Sequence, residues 1–174
     1  MYIETERLYL RQVTLNDFMY LYDWKNSLLL RKMSVGLKTN ISPTQQKNDI
    51  LSSLKNDYDL YTIIVNKSND FPVGYIRINW LDSFKKIGWL RFGMGDCRNK
   101  GFMNEALLAT LEYHFNKNVF RFEAEVLSFN KASLKLLSNL NFTIEGTRRK
   151  AHYQEDSYHD VHILGLLKED LNKI

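Results

Sequence analysis

Arg91-Phe92-Gly93-Met94-Gly95-Asp96-Cys97-Arg98-Asn99-Lys100-Gly101-Phe102-Met103-Asn104-Glu105-Ala106 is the stretch on which the reading of this chain turns. Upstream of it, Trp89, Leu90, Phe92 and Met94 form an extended run, and Gly93 and Gly95 predict a bend or bulge at its end. Downstream, Met103, Ala106, Leu107, Thr110, Leu111, His114 and Phe115 recur at spacings of three and four, so a helix starts close to Gly101. A helix start presents free amides and the positive end of the helix dipole, about half a charge, and Arg98 and Lys100 add full charges beside it. A ligand carrying phosphate fits this turn; a single glycine with two basic residues also fits a solvated loop.

Outward from this centre, the chain has a mixed order of strands and helices. Ile3 to Val13 alternates loosely and predicts a first strand, and Thr14 caps a helix carrying Leu15, Phe18, Leu21, Tyr22 and Trp24. Residues 26–39 read as a second short helix or irregular cover. Ser42, Pro43 and Gln45 open another helix that buries Ile50, Leu51 and Leu54. Tyr61 to Val65 and Val73 to Trp80 form a hairpin around the cluster 66–70, and Ile87 to Met94 pairs back against it. After the central helix, Phe120, Phe122, Ala124 and Val126 alternate as a strand. Asn130 caps a helix through Leu134, Leu137 and Leu140, and 142–153 with 158–167 closes the chain as two strands. The expectation is one α/β domain over 1–174: a mixed, mostly antiparallel twisted sheet of about seven strands with about four helices.

Bulk properties narrow the function classes. A chain of 174 residues with two Pro and one Cys fits a single core burying roughly 70% of its extended surface. Its longest apolar runs fall far short of the roughly 20 residues of a membrane span, and no leader pattern opens it. The lone Cys97 leaves no internal disulfide, and a cytoplasmic location is expected. The net charge of +4 comes from 24 basic against 20 acidic residues, without the basic stripe or aromatic platform of a nucleic-acid binder.

The order of elements, with the basic turn between strand and long helix, resembles the GNAT acyl-CoA N-acyltransferase superfamily. Ile3-Glu4-Thr5-Glu6-Arg7-Leu8-Tyr9-Leu10-Arg11, Pro72-Val73-Gly74-Tyr75-Ile76, Asn104-Glu105-Ala106-Leu107, Asn130-Lys131-Ala132-Ser133, Asn141-Phe142-Thr143-Ile144-Glu145-Gly146 and Tyr158-His159-Asp160 are similar to the subgroup of ribosomal-protein alanine and serine N-terminal acetyltransferases. The resemblance implies acetyl-CoA as co-substrate, no metal, and transfer of an acetyl group to a primary amine. A protein N-terminal α-amine comes first among acceptors. Polyamines, amino sugars and amine-bearing antibiotics are the alternatives, and an acyl-CoA-binding module without turnover is a further class. Such domains also form homodimers, and no stretch here singles out an interface.

The same resemblance implies site residues. In the family's phosphate turn, Arg98 and Gly101 match, and Asn99, Lys100, Phe102 and Met103 complete it. Met103 stands where a small residue is usual, and Asn141 where a Gly is usual. Phe92, Gly93 and Met94 are expected to line a gap between splayed strands that receives the pantetheine arm, with Asn130 beside it. The Tyr that many members place seven residues after that Asn is Leu137 here. Ser133 is then either the acid that protonates the departing thiolate or a helix-start hydroxyl. His152 aligns with the position of a base; it is either that base or a satisfied strand histidine, and Glu125 and Tyr153 are reserves. Arg121, Lys117 and Lys131 are candidate partners of the cofactor's 3′-phosphate, each equally an ordinary solvated charge. Tyr20, Trp24, Met33, Trp80 and Phe84 either shape the acceptor pocket or pack the core.

Overall fold

The computed structural model describes residues 1–36, 39–95 and 97–171. Positions 37 and 38 of the predicted cover segment, Asp96 of the central stretch, and 172–174 of the predicted domain lie outside the described residues. In chain order the elements are β1 (Tyr2–Glu4), β2 (Leu8–Gln12), α1 (Phe18–Asn26), α2 (Leu28–Met33), α3 (Pro43–Lys55), β3 (Asp59–Asn66), β4 (Phe71–Trp80) and β5 (Ile87–Met94). There follow α4 (Phe102–Asn116), β6 (Arg121–Leu127), α5 (Lys131–Asn139), β7 (Thr143–Gln154), β8 (Ser157–Leu167) and α6 (Lys168–Leu171). The strands form one sheet in the order β1-β2-β3-β4-β5-β6-β8-β7. All pairs are antiparallel except β5 with β6. The fold is thus the mixed, mostly antiparallel α/β sheet expected, with eight strands where about seven were predicted. No described helix is long and apolar enough to cross a membrane.

The differences have local causes. The predicted first strand is two, because Thr5 and Arg7 leave the sheet to bind Glu105 on α4: the Thr5 hydroxyl donates to it at 2.6 Å and the Arg7 amide at 2.9 Å. α2 is a full helix, capped by the Ser27 hydroxyl, which accepts from the Leu30 amide. The short α6 was not predicted.

Alternation on the strands sorts side chains into two cores. Ile64, Ile76, Ile78, Leu90, Phe122, Ala124 and Val126 face α4 and α5, where Ala106, Leu107, Leu111 and Leu137 meet them. On the opposite face Tyr61, Ile63, Val65 and Tyr75 meet Leu21 and Trp24 of α1, Leu30 of α2 and Ile50 of α3. Each large aliphatic side chain buried in this way contributes about 1.5–3 kcal/mol.

Parallel β5 and β6 pair only over Ile87–Trp89 and Arg121–Glu123. Beyond those residues the two strands have no mutual pairing, and the wedge between them points toward the start of α4. The β4–β5 register runs unbroken to Gly74↔Met94, so the opening comes from the divergence of β6 and not from the bulge expected at Gly93 to Gly95. The glycines serve another end: a Cβ on Gly95 would run into the indole of Trp24.

Candidate active site

A cavity of about 630 Å³ lies at the open wedge. Its walls are the end of β5, the turn into α4, the start of α5 and the last turn of α2. All ten residues expected to hold a cofactor line it: Phe92, Gly93, Met94, Arg98, Asn99, Lys100, Gly101, Phe102, Met103 and Asn130. Ser133 lines it too.

The turn is built from backbone. Asn99 and Gly101 both take positive φ, 61° and 76°, which coils the chain tightly before α4. Glycine takes this conformation without penalty, and Asn is among the more tolerant side chains. The first helical bond runs from the Glu105 amide to the Gly101 carbonyl at 3.1 Å. The amides of Gly101, Phe102, Met103 and Asn104 have no acceptor among the described residues. Four such amides at the positive end of a helix are a ready anion site. Asn104 also lines the cavity.

Side chains in the turn hold its shape. Arg98 folds back, donating from Nε to the Gly95 carbonyl at 3.1 Å and from an Nη to the Met94 carbonyl at 3.0 Å. Arg7 donates to the Lys100 carbonyl at 2.9 Å, pairs with Glu105 at 2.6 Å and stacks over Phe102. Burial opposes the charge of Glu105, but its bonds to Thr5 and Arg7 outweigh it and hold its pKa below the usual carboxylate value. Met103, the residue that departs from the family pattern, is buried in the core under α4.

Asn130 caps α5, its Oδ1 accepting from the Ser133 amide at 3.1 Å, while its Nδ2 donates to the Met33 carbonyl of α2 at 2.9 Å. It therefore ties together two walls of the cavity. Ser133 is partly buried, and its hydroxyl makes no hydrogen bond among the described residues.

A second cavity, of about 210 Å³, opens on the α1–α3 side of the sheet. Met33, Ser34, Phe92, Asn130 and Ser133 line both cavities, so the two meet along these residues. The second is lined further by Lys25, Tyr61, Tyr75, Arg77, Trp89, Arg91 and Glu125. Burial pushes the Tyr75 phenol up to about 12 and lowers Lys25. Of the residues named as acceptor-pocket candidates, Met33 lines this cavity. Trp24 and Trp80 are packed elsewhere, Tyr20 packs at a tilt against Trp24 and Phe84 is exposed.

Sequence reading missed the charged lining, although one signal was available. Arg77 sits between Ile76 and Ile78, and Arg91 between Leu90 and Phe92, so alternation puts a cation on the face opposite those apolar side chains, the face that Tyr75 shares.

His152 lies on β7, buried, with Nε2 at 3.1 Å from Gln154 Oε1, and it lines neither cavity. Tyr153 is exposed and lines neither. Arg121 is held by Glu145 and Glu123, Lys117 bonds the Tyr113 hydroxyl, and Lys131 lines the larger cavity.

Comparison with known proteins places this geometry. Residues 7–143 match the model of the acetyltransferase (GNAT) domain. The chain is 32% identical to the uncharacterized N-acetyltransferase p20 of Bacillus licheniformis, over 95% of this chain and 96% of that protein. In fold it is similar to a ribosomal L7/L12 alpha-N-protein acetyltransferase in complex with coenzyme A. That likeness has a TM-score of 0.85 at 19% identity and covers 96% of this chain and 98% of the other. It is similar also to spermidine N-acetyltransferase from Vibrio cholerae in complex with CoA and spermine, with a TM-score of 0.88 at 14% identity, covering 97% and 99%.

Proposed function

The chain belongs to the GNAT acetyltransferase family and is an acetyl-CoA-dependent acyltransferase; on that premise we propose that it acetylates a primary amine, foremost a protein N-terminal α-amine. The observation that carries the reading is the placement of Ser133, its hydroxyl without a partner among the described residues, in the wall that the two cavities share.

The residues fit acetyl-CoA on the larger side. Free amides from Gly101 to Asn104 suit its pyrophosphate, and the unpaired edge of β5 offers Phe92, Gly93 and Met94 to an amide-bearing arm. Bound there, acetyl-CoA supplies the activated acetyl group. Ser133 is the acid that gives its proton to the departing thiolate. An α-amine, with a pKa of about 7.7–8.0, is already partly neutral at physiological pH, whereas a lysine-like amine near 10.4 needs about 4 kcal/mol of help. The modest demand on a base favours the N-terminal acceptor.

Two groups compete for the proton of the amine. The resemblance implies His152, which acts through intervening water, since it lines neither cavity. Geometry supports Glu125 better: the residue lines the acceptor side, with one carboxylate oxygen on Arg148 at 2.5 Å. The cytosol, where the lone Cys97 stays reduced, is the proposed location.

Thiol release from acetyl-CoA with a panel of amines tests the reading. Ser133→Ala is expected to lower kcat by about 10²–10⁴ with little change in acetyl-CoA affinity by calorimetry. A pure loss of affinity contradicts the acid role, and binding without turnover on any amine leaves an acyl-CoA-binding module. A fall of similar size for Glu125→Gln but not His152→Ala assigns the base to Glu125; the reverse assigns it to His152.

A further inference from the structure

The acceptor-side cavity has more cations than its surroundings neutralise. Lys25, Arg77 and Arg91 all line it. Asp49 takes Lys25 at 2.7 Å and Arg77 at 2.8 Å, and Asp59 takes the other edge of Arg77, with its Nε at 2.7 Å. Glu125 is taken by Arg148. Arg91 has no carboxylate partner among the described residues.

Its position makes that costly. Sheet register sets Arg91 directly across from Arg77, and like charges in that arrangement repel. Burial first, and then Arg77, lower the pKa of its guanidinium. Arg91 bonds the side-chain oxygen of Asn79 and lies over the Trp89 ring at 4.8 Å. Its Nε is nonetheless buried with no acceptor, and so is the Tyr61 hydroxyl in the same lining. Both atoms are sealed from the cavity, so an acceptor there meets the rest of a guanidinium whose contacting partners, Asn79 and Trp89, are neutral.

We propose that this cavity is an anion subsite, so that the acceptor carries a carboxylate close to its amine, held by the Arg91 guanidinium. The inference rests on the N-acetyltransfer reading and narrows its substrate class. A guanidinium fork matches a carboxylate in shape, and the cavity, at about 210 Å³, takes the end of an acceptor rather than a whole one. Polyamines, being polycations, are repelled by the same residues. An N-terminus with an acidic side chain at its first or second position fits, and so does a small free amino acid.

The test is thiol release with acetyl-CoA and three otherwise identical peptides bearing Glu, Gln or Lys at the second position, together with free glutamate and spermidine. Expected is a kcat/KM at least tenfold higher for the Glu peptide than for the Gln peptide, with the Lys peptide and spermidine lowest. Arg91→Gln should cut the rate on the Glu peptide at least tenfold and abolish the preference, while Arg91→Lys retains part of it. Acetyl-CoA binding by calorimetry verifies that each variant is folded. A stronger response to free glutamate or to the Glu peptide supports the subsite in either case and identifies the source. Equal use of the three peptides, or preference for Lys or spermidine, overturns the subsite and leaves amine acetylation standing. Acetyl-CoA binding with thiol release on none of the acceptors overturns the transfer reading itself, and the subsite with it.

Discussion

The two cavities that meet at Ser133 are made of different material. The larger is built from main chain: free amides at the start of α4, the unpaired edge of β5, and side chains such as Arg98 and Arg7 that brace carbonyls. The smaller is built from side chains, with Lys25, Arg77 and Arg91 set among Asp49, Asp59 and buried tyrosines. Main-chain groups are present whatever the sequence, so the donor side survives substitutions such as Met103. A side-chain site changes character with each replacement, and acceptor choice is therefore proposed to reside in the smaller cavity.

The largest effect that tests this contrast lies on the side-chain side. Asp59→Ala leaves Arg77 buried with half its partners, and stability to denaturant is expected to fall by about 3–5 kcal/mol. Replacing Asp59 by Leu and Arg77 by Met together should cost less than the single change, because no charge is then stranded. A loss below 1 kcal/mol for Asp59→Ala would break the contrast.

Acidification separates folding from either cavity. His114, packed against Trp80, Phe122 and Tyr113 on the opposite side of the sheet, is pushed by burial, and then by Lys117, down to about 4. Its unfolded counterpart binds a proton near 6.5, so its contribution is intact above that pH. It is lost as pH falls from about 6.5 toward 4, by up to about 3 kcal/mol. His114→Phe should flatten the dependence of stability on pH across that window. An unchanged slope would place the acid sensitivity elsewhere.

On the main-chain side, Gly101→Val forces a β-branched residue into a left-handed conformation and is expected to weaken acetyl-CoA binding at least a hundredfold by calorimetry. Met103→Ala alters a core side chain but no amide, so affinity should stay within about threefold even as stability falls. Should Met103→Ala weaken binding as much as Gly101→Val, the donor side is not built from main chain.

Sequence made legible what is local. The apolar spacing from Met103 to Phe115 and the strand alternation each report one element's own periodicity, and the glycine before α4 reports a conformation of its own backbone. Partnerships between distant segments were not legible. Glu105 draws Thr5 and Arg7 out of the sheet from about a hundred residues away, and Arg77 finds Asp49 and Asp59 on α3 and β3. Lining residues such as Tyr61 and Trp89 read only as strand, because burial and site wall share one alternation. Ser133 and Asn130 were legible through family resemblance, and their spacing of three shows its physical sense in the cap that Asn130 makes on the Ser133 amide.

The shared wall of Met33, Ser34, Phe92, Asn130 and Ser133 has a kinetic consequence. With the larger cavity proposed for the donor and the smaller for the acceptor, their shared wall lets both occupy the protein at the same time, and no protein nucleophile has to carry the acetyl group between them. Cys97 lines the donor side but not the acceptor side, which leaves it poorly placed as a relay. Initial rates measured while both substrates vary should therefore give intersecting double-reciprocal lines, the pattern of a ternary complex, and not the parallel lines of a ping-pong enzyme.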